Sequence, residues 1–412
     1  MELALGAVVD SRISFGQALG AYGVPQTTFY SKYRANHSDK LAVFSSTVCV
    51  IVFASIRLIL ITYKLLWQRQ TASDKENEVD LFLKVLNTEN KVMQYMISSI
   101  LAYEKEDFYY NDVLNQCNVN NIATPFASEC YYCRPSLLVL EDLSLRGFRN
   151  RPRKDLLDVK HCKIALGCLA KFHAANVALE KIKSDSDTET KNAATEWFEC
   201  TLRGLMTLID LLPKADVSAE EYTAKLVEVL QSPQDPDSMA KYKSTVLHGD
   251  LWSNNFMFQY KNNVPVSSIL IDYQTIKYGP IALDVTQMIL TNVRLNVRAV
   301  HYEELLSFYY HQFVDACEEN GIQALDFISY KDFLQCCEEV KIISKIASVA
   351  DHSTTLLIGD DIREILMSDE TLRKFLLEDR SESMLQSFKE NEMYCEIMTE
   401  DLTELRNLLF SA

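Results

Sequence analysis

His248-Gly249-Asp250-Leu251-Trp252-Ser253-Asn254-Asn255, followed by Ile269-Leu270-Ile271-Asp272-Tyr273-Gln274, sets two carboxylates and an amide along a short length of chain. Between them Phe256 to Tyr260 is apolar and aromatic, Lys261-Asn262-Asn263 is a turn signal, and Val266 to Ile271 is a second apolar run. This alternation of strand and turn signals predicts a hairpin that returns Asp272 to the side of Asn255. The grouping suits phosphoryl transfer, which needs a base aimed at the acceptor hydroxyl and oxygen ligands for a metal that bridges phosphates. Asp250 would accept or orient the hydroxyl proton, Asn255 would offer an amide oxygen to magnesium, and Asp272 would bridge the metal to the phosphates. A plainer reading has Asp250 and Asn255 capping a turn while Asp272 ends a strand.

Other segments fit the same chemistry. Asp followed five residues later by Asn is the spacing of kinase catalytic loops, with Gly249 where protein kinases carry Arg. Leu137 to Leu140 is a short β-type run ending in an acidic pair, as for a buried strand emerging as a linker whose backbone meets adenine. Ala165, Cys168, Leu169 and Phe172 fall at i, i+3, i+4 and i+7, predicting a helix with one apolar face and His173 packed or capping beside it. Asp80 to Leu86 puts Lys84 inside an apolar strand, where an inward ammonium needs a partner. Glu106, in Tyr103-Glu104-Lys105-Glu106-Asp107-Phe108, is the candidate partner; Glu104 competes with it, and an ordinary solvated helix is the plain alternative.

These segments resemble the aminoglycoside and choline phosphotransferases, and within that clan the ecdysteroid kinase-like (CHK kinase-like) family. Leu138-Val139-Leu140-Glu141-Asp142-Leu143, Gly147-Phe148-Arg149, His161-Cys162 and Leu169-Ala170-Lys171-Phe172-His173-Ala174 are similar to that family's hinge and first C-lobe helix, and the likeness runs over roughly residues 53 to 400. The resemblance implies an α+β, bilobal protein-kinase-like fold, with a small antiparallel-sheet N-lobe over 53–140 and a hinge and helical C-lobe over 141–412. It implies ATP and Mg2+ as cofactors and a small-molecule hydroxyl acceptor, a steroid alcohol such as an ecdysteroid. Ser55, Lys84, Glu106, Leu140, Glu141 and Leu143 would serve the nucleotide, and Asn255 and Asp272 the metal. His248 stands with Asp250 as the catalytic pair, bracing the loop, and Asp284 in Gly279-Pro280-Ile281-Ala282-Leu283-Asp284 would support that loop by hydrogen bonding or else cap its own helix.

The start of the chain departs from this pattern. Val50-Ile51-Val52 stands where the family carries Gly-Glu-Asn, so the backbone loses its close approach to phosphate. Residues 1–40 include Ile13 to Tyr30, which resembles a pipsqueak-type helix-turn-helix, with a turn at Gly23 and a second helix opening at Pro25. Four basic against three acidic residues there are a poor match to DNA phosphates. Residues 41–52 form an apolar connector, and 41–67 reach the length of a membrane span, but Arg57 near the middle argues for N-lobe strands instead. A fusion at the level of the gene is expected, the native transcript starting elsewhere. Two competing readings follow: a pseudokinase that binds ligand without turnover, and a DNA-binding chimera.

The composition suits a cytoplasmic enzyme. A chain of 412 residues, 48% hydrophobic and 24% charged, can bury a large core. A net charge of −16 argues against nucleic acid and anionic membranes and favours a neutral or cationic small molecule. Eleven irregularly spaced cysteines read as reduced thiols. Cys130-Tyr131-Tyr132-Cys133 lacks a second ligand pair for zinc, and Cys336 and Cys337, being adjacent, are expected to point apart. Tyr302 to Phe313 and Tyr330 to Ala350 are predicted helical, and Asp369 to Glu390 is predicted to be charged and surface-facing.

Overall fold

The structure, a computed structural model, describes residues 55–56, 60–69, 77–86, 91–134, 137–152, 155–179, 193–231, 239–357 and 368–411. The helix-turn-helix segment, the apolar connector and Phe53-Ala54 lie outside these residues. Chain contacts divide the protein into two units, one holding residues up to 94 together with 128–148, the other 95–127 and 149 onward.

In the first unit the described strands form an antiparallel sheet of five: β1 (Ser55–Ile56), β2 (Leu60–Arg69), β3 (Asn77–Leu86), β4 (Cys130–Arg134) and β5 (Leu137–Glu141), in the order β1-β2-β3-β5-β4. Strand β5 lies between β3 and β4 with Leu137 to Leu140 all buried, so both its faces are covered and it reads as one apolar run rather than an alternation. Lys84 sits on β3 opposite Thr62 and Leu138 and is buried. No helix among the described residues is long and apolar enough to cross a membrane, and residues 60–67 of the apolar stretch belong to strand β2.

The second unit is mainly helical. After α1 (Ala102–Phe108), helix α2 (Val159–Ala178) starts where the Asp158 carboxylate accepts a hydrogen bond from the His161 N–H at 2.9 Å. Ala165, Leu166, Leu169, Ala170 and Phe172 are each wholly buried, so the apolar face expected at 165, 168, 169 and 172 is turned into the core, while Lys160 and Lys171 stay exposed. It packs against α4 (Leu295–Glu319), and α3 (Ile281–Asn292) packs against α5 (Lys341–Thr355). The run expected over 330–350 is two helices, Tyr330–Glu339 and α5, parted at Val340.

Cys336 and Cys337 are both buried on the Tyr330–Glu339 helix. One expectation is corrected. Between Asp369 and Glu390 the acidic residues Asp369 and Glu370 are exposed, yet Leu372, Phe375, Leu376, Leu377, Arg380 and Met384 are buried. Charge density there hid an apolar set spaced for burial. The chain closes with α6 (Glu392–Phe410), whose Tyr394, Leu402 and Leu405 are fully buried.

Candidate active site

The hairpin is β7 (Phe256–Lys261) and β8 (Val264–Leu270), which follow β6 (Thr245–Leu247) in the chain. Its turn is two residues, Asn262 and Asn263, rather than the three read from sequence, and the second strand begins at Val264. Both asparagines adopt left-handed backbone, φ 52° and 61°, the twist that matches paired strands and that asparagine tolerates best after glycine. Pairing runs down to Phe256 opposite Leu270, and one rung further the Ile271 N–H donates to the Asn255 carbonyl at 3.0 Å. Asp272 therefore follows directly on a bond to Asn255.

Asn255 is buried, and its amide donates one hydrogen to the Asp250 carboxylate and the other to the Asp250 carbonyl, both at 2.8 Å. The carboxylate of Asp250 is thereby held in a fixed orientation, and the amide oxygen of Asn255 is turned away from it. Asp272 itself has left-handed backbone, φ 74°, a costly setting for a residue with a Cβ. The turn after it is clamped by Tyr273, whose hydroxyl donates to the Leu270 carbonyl at 3.2 Å and whose ring stacks on Tyr109 at 4.2 Å.

The loop from 248 to 250 hangs on Asp284 in the first turn of α3. That carboxylate is fully buried and accepts from the His248 N–H at 2.7 Å and the Gly249 N–H at 3.1 Å, with the His173 ring 3.2 Å away. It is thus bonded to the loop, not capping its own helix. Burial alone would raise the Asp284 carboxyl, but the hydrogen bond and charge of His173 and the charge of Lys277 bring it below the ordinary value. His173 reaches Tyr309 Oη at 2.7 Å with its other nitrogen. His248 is also fully buried, which pulls its ring below the usual histidine value, so it is neutral near pH 7. Its Nε2 lies 3.1 Å from the Ile271 carbonyl, which fixes the proton there and leaves Nδ1 to accept from the Asp250 N–H at 3.4 Å. This ring bridges the loop to the hairpin and has no spare nitrogen for proton transfer.

Gly249 is required by two facts at once: φ is +76°, and a Cβ would stand 2.6 Å from the Thr275 carbonyl oxygen. Strand β9 (Lys277–Gly279) pairs with β6, Lys277 opposite Leu247, and brings Thr275 to donate its hydroxyl to the His248 carbonyl at 2.9 Å.

Sequence reasoning passed over several supports. Asn292, at the end of α3, donates to the Leu251 carbonyl at 2.6 Å, and Asn150 donates to the Asn254 carbonyl at 2.7 Å. The available signals were an amide closing a buried helix and another directly after the Gly147-Phe148-Arg149 segment. His173 was read as packed or capping; its bond to Asp284 spans 111 residues and leaves no local pattern.

The remaining candidates divide by unit. In the helical unit Glu106 is buried on α1 while Glu104 is exposed. In the sheet unit lie Ser55 on β1, Lys84 on β3, and Leu140, Glu141 and Leu143 at the end of β5. The Glu141 carboxylate accepts from the Glu129 N–H at 3.1 Å and from Arg146 at 2.8 Å, and its own N–H donates to the Glu129 carbonyl at 3.0 Å. Cys130 and Cys133 gather no further ligands: among the described residues no group of three His, Cys, Asp or Glu could hold a metal.

The sequence model of the ecdysteroid kinase-like family matches residues 54–322, a span that takes in both the buried lysine strand and the Asp250 loop. The chain belongs to the ecdysteroid kinase-like family. Its described residues have the α+β make-up expected from the sequence, an antiparallel sheet in one unit and mainly helices in the other. Among solved structures, an ethanolamine kinase from Plasmodium vivax is 14% identical with a TM-score of 0.39, the match covering 88% of this chain and 94% of that one. A choline kinase from Streptococcus pneumoniae is 13% identical with a TM-score of 0.39, over 92% and 99% of the two chains. No curated protein matches this member of the ecdysteroid kinase-like family.

Proposed function

We propose that the protein is an ATP-dependent phosphotransferase acting on a small-molecule hydroxyl, with a steroid alcohol of the ecdysteroid type as the acceptor its family suggests. One observation carries the reading: the Asn255 amide orients the Asp250 carboxylate while the Asn255 carbonyl, through Ile271, keeps Asp272 beside it. Asp250 is then the base that draws the acceptor hydroxyl into line. The Asn255 amide oxygen and the Asp272 carboxylate are hard oxygen donors of the kind magnesium takes, so these residues fit the metal. Magnesium, when bound, supplies neutralisation of phosphate charge. In the sheet unit the reading assigns the phosphates to Lys84 and Ser55 and the adenine to the backbone from Leu140 to Leu143. His248 braces the loop.

The test is magnesium-dependent ATP turnover of the full chain with a panel of steroid and amino-alcohol acceptors. Product formed by the wild type and reduced about 10²- to 10⁴-fold in Asp250→Ala supports the assignment. Turnover only when Val50→Gly, Ile51→Glu and Val52→Asn are combined would locate the defect in the first segment of the chain. Nucleotide binding without turnover in either form would instead support a pseudokinase.

A further inference from the structure

Asp401 and Asp351 are both acids lodged among the C-terminal helices, and they are treated in opposite ways. Asp401 receives the Lys345 ammonium at 2.7 Å and the His352 ring at 2.6 Å. Asp351, one residue before that histidine on α5, is half-buried and has a single side-chain partner among the described residues, the Gln287 amide at 3.3 Å. No lysine, arginine or histidine pairs with it among those residues. Burial pushes its carboxyl up to about 6, against the pull of His352, Gln287 and Lys277. An acid left with one weak amide in a desolvated position is unfavourable for folding.

The position is close to the proposed chemistry. Gln287 follows Asp284 by three residues on α3, one helical turn from the carboxylate that holds the His248–Asp250 loop. Lys277 stands opposite Leu247 in the β6–β9 pair, and its Cε comes within 3.6 Å of where a Gly249 Cβ would be. The charge of this one lysine acts on both Asp284 and Asp351. The same corner thus offers an under-satisfied carboxylate and an amide, one helical turn along α3 from the acid that holds the Asp250 loop.

We propose that Asp351, oriented by Gln287, binds the acceptor, and that the acceptor carries a second hydrogen-bond donor, hydroxyl or protonated amine, besides the hydroxyl that is phosphorylated. This rests on the phosphotransferase reading above. The carboxylate accepts the donor's hydrogen bond and Gln287 holds it in place. An acceptor with only one hydroxyl and no second donor leaves Asp351 as poorly satisfied as before and binds weakly.

The test uses the full chain with magnesium and ADP, titrated by calorimetry with 20-hydroxyecdysone as a polyhydroxylated steroid and ethanolamine as an amino alcohol, alongside KM and kcat with ATP. Asp351→Ala is expected to weaken binding of the preferred probe and raise KM about ten- to a hundredfold, with kcat little changed. If the donor is a hydroxyl, Asp351→Asn retains most of the affinity, because the amide oxygen still accepts; if it is an ammonium, Asn loses as much as Ala. Affinity and KM unchanged in both variants, kcat alone falling, or a wild type that binds neither probe, would each overturn the proposal. Absence of phosphorylated product from the wild type, with a probe still bound, would overturn the phosphotransferase reading instead, while the calorimetric comparison still judges Asp351.

Discussion

Asp284 and Asp401 are two buried acids of the helical unit, 0% and 4% exposed, and each joins elements far apart in the chain. Asp284 is met chiefly by backbone N–H groups of the His248–Gly249 segment and by one ring. Asp401 is met by charge: Lys345 on α5 bridges it to Glu404 at 2.5 Å, Glu404 also pairs with Arg298 on α4, and His352 turns its other nitrogen to the Thr291 carbonyl at 2.7 Å. Backbone donors have fixed directions, so the first arrangement dictates the course of a loop. Long charged side chains adapt, so the second fastens α4, α5 and α6 without prescribing a shape to within a fraction of an ångström. A buried acid in this fold is therefore informative through the kind of donor it gathers.

The largest expected effects separate the two. Asp284→Asn presents an amide hydrogen to donors that need an acceptor and should lower kcat about a hundredfold by shifting the Asp250 loop, read as ATP turnover at saturating acceptor. Asp401→Asn should remove about 3 to 5 kcal/mol of stability in urea unfolding, since buried cations lose their counter-charge, while kcat of the folded protein stays within a factor of about two. A larger kcat loss at Asp401 than at Asp284 would break the comparison. Next in size, Gly249→Ala should destabilise by about 1 to 3 kcal/mol and slow turnover, because the added carbon meets the Thr275 carbonyl in a backbone setting unsuited to alanine. Unaltered unfolding and kinetics there would mean the loop is held less firmly than its bonds imply.

The smallest effect is in the pH dependence. The Asp401 carboxyl lies well below its usual range, through the charges of Lys345 and His352 overcoming desolvation, so its contribution is present above the unfolded value near 3.9 and disappears as pH falls through the folded one. Asp351 runs the other way. Between about 3.9 and its raised value of about 6, the folded protein keeps a proton the unfolded chain has released, so stability declines as pH rises through that window. Asp351→Asn should flatten that decline and leave the protein at least as stable at pH 7, measured by urea midpoints from pH 4 to 7. A variant less stable than wild type at pH 7 would make Asp351 a structural acid like Asp401.

What the sequence made readable follows the range of the interactions. The β7–β8 hairpin, the apolar strand carrying Lys84 and the β5 run were legible because pleat and turn chemistry act over a few residues. The turn was misjudged by one residue because Lys261 is as polar as the asparagines yet still pairs with Val264. The bonds from Asn292 to Leu251 and from His173 to Asp284 were invisible, since each is created only when segments distant in the chain pack together. The Asp369–Glu390 segment misled for a related reason: its charges dominate the composition, while burial is decided by the spacing of Leu372, Phe375, Leu376 and Met384.

The two-residue turn at Asn262-Asn263 also has a kinetic meaning. A tight hairpin closes on the microsecond scale without waiting for any distant partner. Asn255 and Asp272 are brought together by that local event, whereas Asp284 must find His173 across 111 residues and His248 across 36. Loop closure over such separations is slower and entropically harder. The two oxygen donors are thus neighbours early in folding, and the acid that fixes Asp250 arrives with the last assembly of the helices.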